Sequence, residues 1–417
     1  MTGPLGQTLT LSAYYAVLAV LAVYGAHRVL MVFLYYRHRR DAPQPAGRLA
    51  TLPRVTVQLP IYNEVYVVER LVESVAAIDY PRERLEIQIL DDSDDDTRDV
   101  ALALTERLVA RGFAITHRSR GHREGFKAGA LQEGLSAASG EFLLILDADF
   151  VPAPDILRAC LPYFADPGVG MVQARWGHLN RDFSRLTRIQ AILLDGHFVI
   201  EHTARHRSGR FFNFNGTAGV WRRSCIEESG GWQADTLTED LDLSYRAQLA
   251  GWKFVYLKDC VAPAEVPVDM NGLKSQQHRW TKGSIQTGRK LLPAIWRSAL
   301  PWKIKIEAFF HLTNNLSYVL VVLLALLLVP AILIRDRIGW QKLAMLDFPL
   351  FFGATLSFLA FYVSSQREIG RGWKSTLRCL PLLLSLGIGI SVNNARAVLE
   401  ALLRRPTGFT RTPKYSI

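Results

Sequence analysis

Two aspartates one residue apart, Asp147 and Asp149, close the run Gly140-Glu141-Phe142-Leu143-Leu144-Ile145-Leu146. The apolar segment 142–146 reads as a strand buried on both faces, as in a parallel sheet. If strand geometry carries through, both carboxylates project to the same side. Like charges at one place are costly unless a cation lies between them. A divalent ion carrying a diphosphate meets that need. The plainer alternative is a strand end with two solvated aspartates.

Five further clusters could carry chemistry, and each has a structural reading beside the functional one. Asp91 and Asp92 open an acidic run to Asp96 and Thr97; this is either a helix cap or a carboxylate accepting from a nucleobase imide. Lys127 lies between Gly125 and Gly129, where a lysine at a helix start can reach a phosphate. Gly216 and Thr217 belong to the small-residue stretch 213–223, a tight turn or a place where backbone approaches a ligand. Glu239 and Asp240 follow Thr238 at a helix start; they suit the helix dipole, and a general base for a sugar hydroxyl has the same look. Last comes Gln276-Gln277-His278-Arg279-Trp280, expected just before a surface helix. An indole stacks on a sugar face and an arginine neutralises a leaving diphosphate, but Trp and Arg also anchor helices at a membrane interface.

The elements that must position these residues fall into a soluble-looking segment, 53–300, between apolar flanks. Strand and helix patterns alternate from Val55 onward, which implies an α/β domain with a parallel sheet and a ligand at the carboxyl ends of its strands. Three of those ends carry Asn63-Glu64, Asp91-Asp92 and Asp147-Asp149. Residues 9–36 read as a transmembrane helix in which His27 and Arg28 need an interior partner or room to snorkel. The basic run 37–40 after it puts the 53–300 domain in the cytoplasm. An amphipathic interfacial helix is expected over 301–315, then a region of about three spans, 316–395, and a basic tail, 396–417. Three crossings would leave that tail outside, against the preference of Arg404, Arg405, Arg411 and Lys414 for the inside. Either 376–403 is a re-entrant or paired element, or the tail is external. The 417-residue chain carries a net charge of +11 and is 49% hydrophobic. With no helix-turn-helix, RNP or zinc pattern, a bilayer and phosphate account for that charge better than nucleic acid. Four scattered cysteines make no disulfide framework or metal spacing.

As an ordered set, Asp91-Asp92, Asp147-x-Asp149, Thr238-Glu239-Asp240 and Gln276-x-x-Arg279-Trp280 closely resemble glycosyltransferase family 2. Within it they resemble the processive, membrane-embedded synthases of β-linked polysaccharides. The Phe-Asn-Gly-Thr-Ala-Gly-Val-Trp-Arg stretch and the doubled Gln look most like cellulose-synthase-like mannan and glucan synthases. The resemblance implies a Rossmann-like, GT-A type nucleotide-diphospho-sugar transferase domain with flanking transmembrane helices. It implies a nucleotide-sugar donor (UDP-glucose or GDP-mannose) and a divalent metal, Mg2+ or Mn2+, at Asp147 and Asp149. Asp91 or Asp92 would meet the base, Lys127 and Arg279 the diphosphate, and Asp240 would be the catalytic base. Trp280 would stack on the acceptor, with Gly216, Thr217, Gln276 and Glu239 on that side. Residues 409–414 are similar to a gating loop of those synthases, with Arg411 where their pattern has Val. The reaction so implied is inverting transfer of a hexose to the non-reducing end of a growing glucan, mannan or glucomannan, with export through the spans of a plasma or bacterial inner membrane. The alternatives are transfer of one sugar to a lipid acceptor and an inactive nucleotide-sugar-binding scaffold.

Overall fold

The structure, a computed structural model, describes residues 3–47, 49–339, 341–405 and 411–417. Seven strands form one sheet: β1 (Val55–Ile61), β2 (Leu85–Asp91), β3 (Ala114–Ser119), β4 (Phe142–Ile145), β5 (Val169–His178), β6 (Gly219–Arg222) and β7 (Lys253–Ala264). Their order is β3-β2-β1-β4-β6-β5-β7. β4 is buried along its whole length, and its side chains alternate between two cores. Leu144 and Leu146 face the core built on Val57 and Leu71, while Leu143 and Ile145 face the core of Trp221 and Phe214. The sheet is mixed rather than wholly parallel, because β6 runs antiparallel to both β4 and β5. The reason is local: the 213–218 loop enters β6 at the edge where the other strands end, so β6 must run away from it.

The same run shows how closely strand and loop fit. A side chain on Gly140 would put its Cβ 2.4 Å from the Thr56 amide nitrogen and 2.7 Å from its hydroxyl. Gly140→Ala is therefore expected to destabilise the domain by roughly 1–3 kcal/mol, read as a lowered melting temperature. Unchanged melting would show that the turn before β4 relaxes freely.

Among the described residues, four helices are long and apolar enough to cross a membrane: Pro4–His38, Trp302–Ile338, Met345–Glu368 and Trp373–Leu402. The second contains a 3-10 turn, Asn314–Leu316, which separates Trp302–Thr313 from Ser317–Ile338. The fourth breaks at Ile390 into Trp373–Gly389 and Ser391–Leu402. The polar pair in the first helix does find partners: His27 Nε2 lies 3.0 Å from Glu307, and Arg28 lies over the Phe358 and Phe361 rings. At the C-terminal end of that helix Tyr35 donates to Glu368 at 2.6 Å; nearer its start Tyr14 lies under Arg335. The last helix returns to the sheet domain, where Glu400 pairs with His278 at 3.1 Å and the Ala401 carbonyl accepts from Arg289. Leu380 and Leu383 of Trp373–Gly389 pack with Met31, Leu34 and Tyr35 and with Ile189 and Ile192 of the Arg185–Asp195 helix.

Gln276 to Trp280 lie inside the long helix Met270–Arg297, which precedes Trp302–Thr313. Asp269 caps the longer helix by accepting from the amides of Asn271 and Gly272 at 2.8 and 2.9 Å, and no proline falls within it before Pro293.

Candidate active site

The carboxyl ends of β1, β2, β4, β5 and β7 and the start of β6 meet around a cavity of about 240 Å³. Several tight connections shape it. Asn63 adopts a left-handed conformation, φ 55°, just past β1. Its side chain donates to Asp94 at 2.7 Å and accepts from the Asp94 amide at 3.0 Å, joining the first two strand-end loops. Gly216, at φ 80°, lets the backbone pass so close to Asp240 that a Cβ there would sit 3.1 Å from its Oδ2.

Asp92, Lys127, Asp147, Asp149, Gly216, Glu239, Asp240, Gln276, Arg279 and Trp280 all line this one cavity. Asp91 and Thr217 do not. The Asp91 carboxylate lies behind the wall, accepting from the Ser93 amide at 2.8 Å and lying 2.8 Å from His117 Nε2. Burial works against its charge, but His117 and Ser93 outweigh it and hold the carboxyl below its ordinary range. Of the adjacent pair only Asp92 faces the cavity; Arg120 Nε donates to it at 2.9 Å. Thr217 is fully buried and supports the site from beneath, its hydroxyl accepting from the Asp147 amide at 2.9 Å.

β4 stops at Ile145, and a turn closed by Phe150 N–H to Asp147 O at 3.1 Å follows it. The two aspartates therefore reach the cavity from a turn, each with its own cation. Lys127, second residue of the Phe126–Ala137 helix, pairs with Asp147 and donates to the Gly216 carbonyl at 2.8 Å. Burial opposes the charge on Lys127, yet Asp147, Glu239 and Asp240 together hold its pKa above the ordinary value. Asp149 Oδ2 accepts from the Glu265 amide at 3.0 Å and from Lys414 Nζ at 2.6 Å. Two amines thus stand on two carboxylates, and hard oxygens of this kind are donors that would suit Mg2+ or Mn2+.

Asp240 is the second residue of the Glu239–Leu249 helix, and Oδ1 accepts from the Leu241 amide at 2.8 Å. Burial, and then the neighbouring Glu239 charge, push its carboxyl up to about 7, against the pull of Lys127. A carboxyl near neutrality in a buried pocket is suited to proton transfer. Across the cavity the Trp280 and Trp176 rings lie 6.4 Å apart, with His178 beside them at the end of β5.

Some of the wall was not foreseen as site. Trp176 and His178 end a strand that carries no acidic pair, so nothing in their spacing marked them. Glu64 was visible at the end of β1, and here Arg411 donates to both its oxygens at 3.2 and 3.0 Å. Burial raises the Glu64 carboxyl to about 7 even so. Arg411, Thr412 and Lys414 bring the C-terminal segment into the cavity; Phe409 and Thr410 of the expected gating pattern lie outside the described residues.

Residues 53–283 match the family described as Glycosyltransferase like family 2. Glucomannan 4-beta-mannosyltransferase 1 of Oryza sativa subsp. japonica is 38% identical over 319 residues, covering 73% of this chain and 61% of the relative. Glucomannan 4-beta-mannosyltransferase 7 of Arabidopsis thaliana is 38% identical over 309 residues, covering 72% of this chain and 56% of the relative. The chain thus spans under two thirds of the length of these curated relatives. Among solved structures, a mannosyltransferase from Pyrobaculum calidifontis in complex with GDP-Man and Mn2+ matches with a TM-score of 0.61 at 22% identity. That match covers 94% of this chain and 100% of the other, and shows the GT-A fold. The chain belongs to the glycosyltransferase-like family 2.

Proposed function

We propose that this protein is a membrane-embedded, inverting hexosyltransferase that adds mannosyl units from GDP-mannose to the non-reducing end of a β-linked mannan or glucomannan. The observation that carries the reading is the convergence of Asp240, the Lys127–Asp147 pair, Asp149 and the Arg279–Trp280 wall on one cavity. The names of the curated relatives support mannose as the sugar, and GDP is the nucleotide bound by the Pyrobaculum enzyme.

In this reading Asp92 accepts from the nucleobase at the edge of the cavity. Lys127 and Arg279 bind the diphosphate and steady the charge that develops as it leaves. A divalent ion held by Asp147 and Asp149 would supply Lewis-acid stabilisation of that leaving group. Trp280, facing Trp176, stacks on the acceptor sugar and turns its hydroxyl toward Asp240. Asp240 takes the hydroxyl proton as that oxygen attacks the anomeric carbon from the side opposite the diphosphate, so an α-linked donor gives a β-linked product. Lys414 and Arg411 must shift or share their carboxylates when donor and metal enter.

A matching membrane arrangement is supported by where the helix ends meet. Pro4–His38, Ser317–Ile338 and Met345–Glu368 cross; Trp373–Gly389 and Ser391–Leu402 form a returning pair at the side of the sheet domain. That arrangement brings the basic tail to the side of the catalytic domain, in keeping with the Lys414–Asp149 contact. It takes the paired-element solution to the parity conflict.

A donor panel tests the substrate. Membranes containing the full chain should consume GDP-mannose and release GDP, with UDP-glucose turned over far more slowly. Turnover of UDP-glucose alone would refute the mannosyl assignment while leaving the family intact.

A further inference from the structure

Behind the active-site loop, the helix Arg185–Asp195 widens into a π-helical turn, Gly196–His202. This geometry is rare and recurs at functional positions. The turn brings His197, Glu201 and His202 to Asn215, which lines the cavity and precedes the glycine whose carbonyl holds Lys127. The Asn215 side chain is gripped from both sides. Its Nδ2 lies 3.0 Å from His197 Nε2, and its Oδ1 lies 2.5 Å from His202 Nε2.

The direction of this chain of hydrogen bonds is fixed at both ends. Burial disfavours the charge on Glu201, but Arg205 and His197 outweigh it and hold the carboxyl well below its ordinary range. An ionised carboxylate only accepts, so His197 Nδ1, 2.9 Å from Glu201, carries a hydrogen. At the other end the Asn213 carbonyl, 3.1 Å from His202 Nε2, also only accepts, so that nitrogen carries a hydrogen too. Asn215 Oδ1 therefore accepts from His202, and its NH2 donates to His197 Nε2, which must present a lone pair. Reversing the amide would set donor against donor on one side and acceptor against acceptor on the other. The turn is anchored toward the long apolar helices as well. Arg205 bridges Glu201 at 3.3 Å and Glu307 at 2.9 Å, and a side chain on Gly196 would strike the Phe361 ring at 2.5 Å.

We propose that His197 is a positioning residue for glycosyl transfer: with its hydrogen on Nδ1 it orients the Asn215 amide and so holds the Gly216 turn against Lys127 and Asp240. The inference rests on the reading of this cavity as the transferase site. It adds the device that keeps amine and base in register.

Two measurements on the full chain in lipid bilayers test it. In nitrogen spectra of histidine-labelled protein, the signals lost in His197→Gln should show hydrogen on Nδ1 and none on Nε2. A hydrogen on Nε2 overturns the proposal. In kinetics, His197→Leu removes the acceptor and should lower kcat roughly 10- to 100-fold, with donor KM and melting temperature unchanged. His197→Gln places its Oε1 near the lost Nε2 and should recover most of that rate. A wild-type kcat in His197→Leu, or a loss that follows donor KM or melting, overturns the proposal. If the wild-type chain transfers no sugar, the function reading fails, and the nitrogen spectra still decide whether the clamp exists.

Discussion

Asp240→Asn is expected to lower transfer by roughly 10²–10⁴-fold while donor affinity changes little. The asparagine keeps the shape of the side chain and can still accept from the Leu241 amide, so the helix start should hold. What it cannot do is take a proton. The wild-type acid limb supports the same assignment. Below about 7 Asp240 holds its own proton and cannot receive one; above it the carboxylate is ready. The kcat/KM of the wild type should therefore rise with pH through an acid limb near 7 in the free enzyme. Glu64 also rises to about 7 in the same cavity, so Glu64→Gln serves as the control. If the limb vanishes in Glu64→Gln, or if Asp240→Asn transfers sugar at the wild-type rate, Asp240 is not the base.

Loss of the divalent ion should have an effect of similar size. Asp147 and Asp149 are each neutralised by an amine in this structure, so each site accommodates positive charge without rearranging the sheet. Asp149→Asn halves the formal charge available to a divalent ion, while its amide oxygen and the Glu265 carbonyl can still accept from Lys414 Nζ. Binding of Mn2+ in the presence of GDP, followed by electron paramagnetic resonance, should weaken by roughly 10- to 100-fold in Asp149→Asn. Chelation should stop transfer by the wild type, and added Mn2+ or Mg2+ should restore it. Transfer that survives chelation would remove the ion from Asp147 and Asp149.

The fold and most of the candidate site's lining were legible because their signals are local. An apolar run that ends in paired carboxylates marks a buried strand with a charged end. That logic finds β4 and β2, and with them Asp92, Asp147 and Asp149. The antiparallel direction of β6 was not legible, since it depends on where the 213–218 loop returns across the sheet. Nor could spacing separate Asp91 from Asp92. Their difference lies in a contact with His117, on the neighbouring strand β3, which turns one carboxylate away from the cavity. The helix Met270–Arg297, which carries Gln276 to Trp280, was not marked by the sequence pattern of that pentad; its start is set by the Asp269 cap, seven residues upstream of Gln276. The Asn215 clamp escaped sequence reading altogether, because it needs a π-helical turn to bring His197 and Glu201 together behind a loop.

The most direct test of the central claim is the length and linkage of the product. Membranes with the full chain, supplied with radiolabelled GDP-mannose and a divalent ion, should make an insoluble product that a β-mannan-specific hydrolase degrades to short oligosaccharides, and Asp240→Asn membranes should make none. A product that is a single sugar on an extractable lipid, or that resists the β-specific hydrolase, would contradict the account.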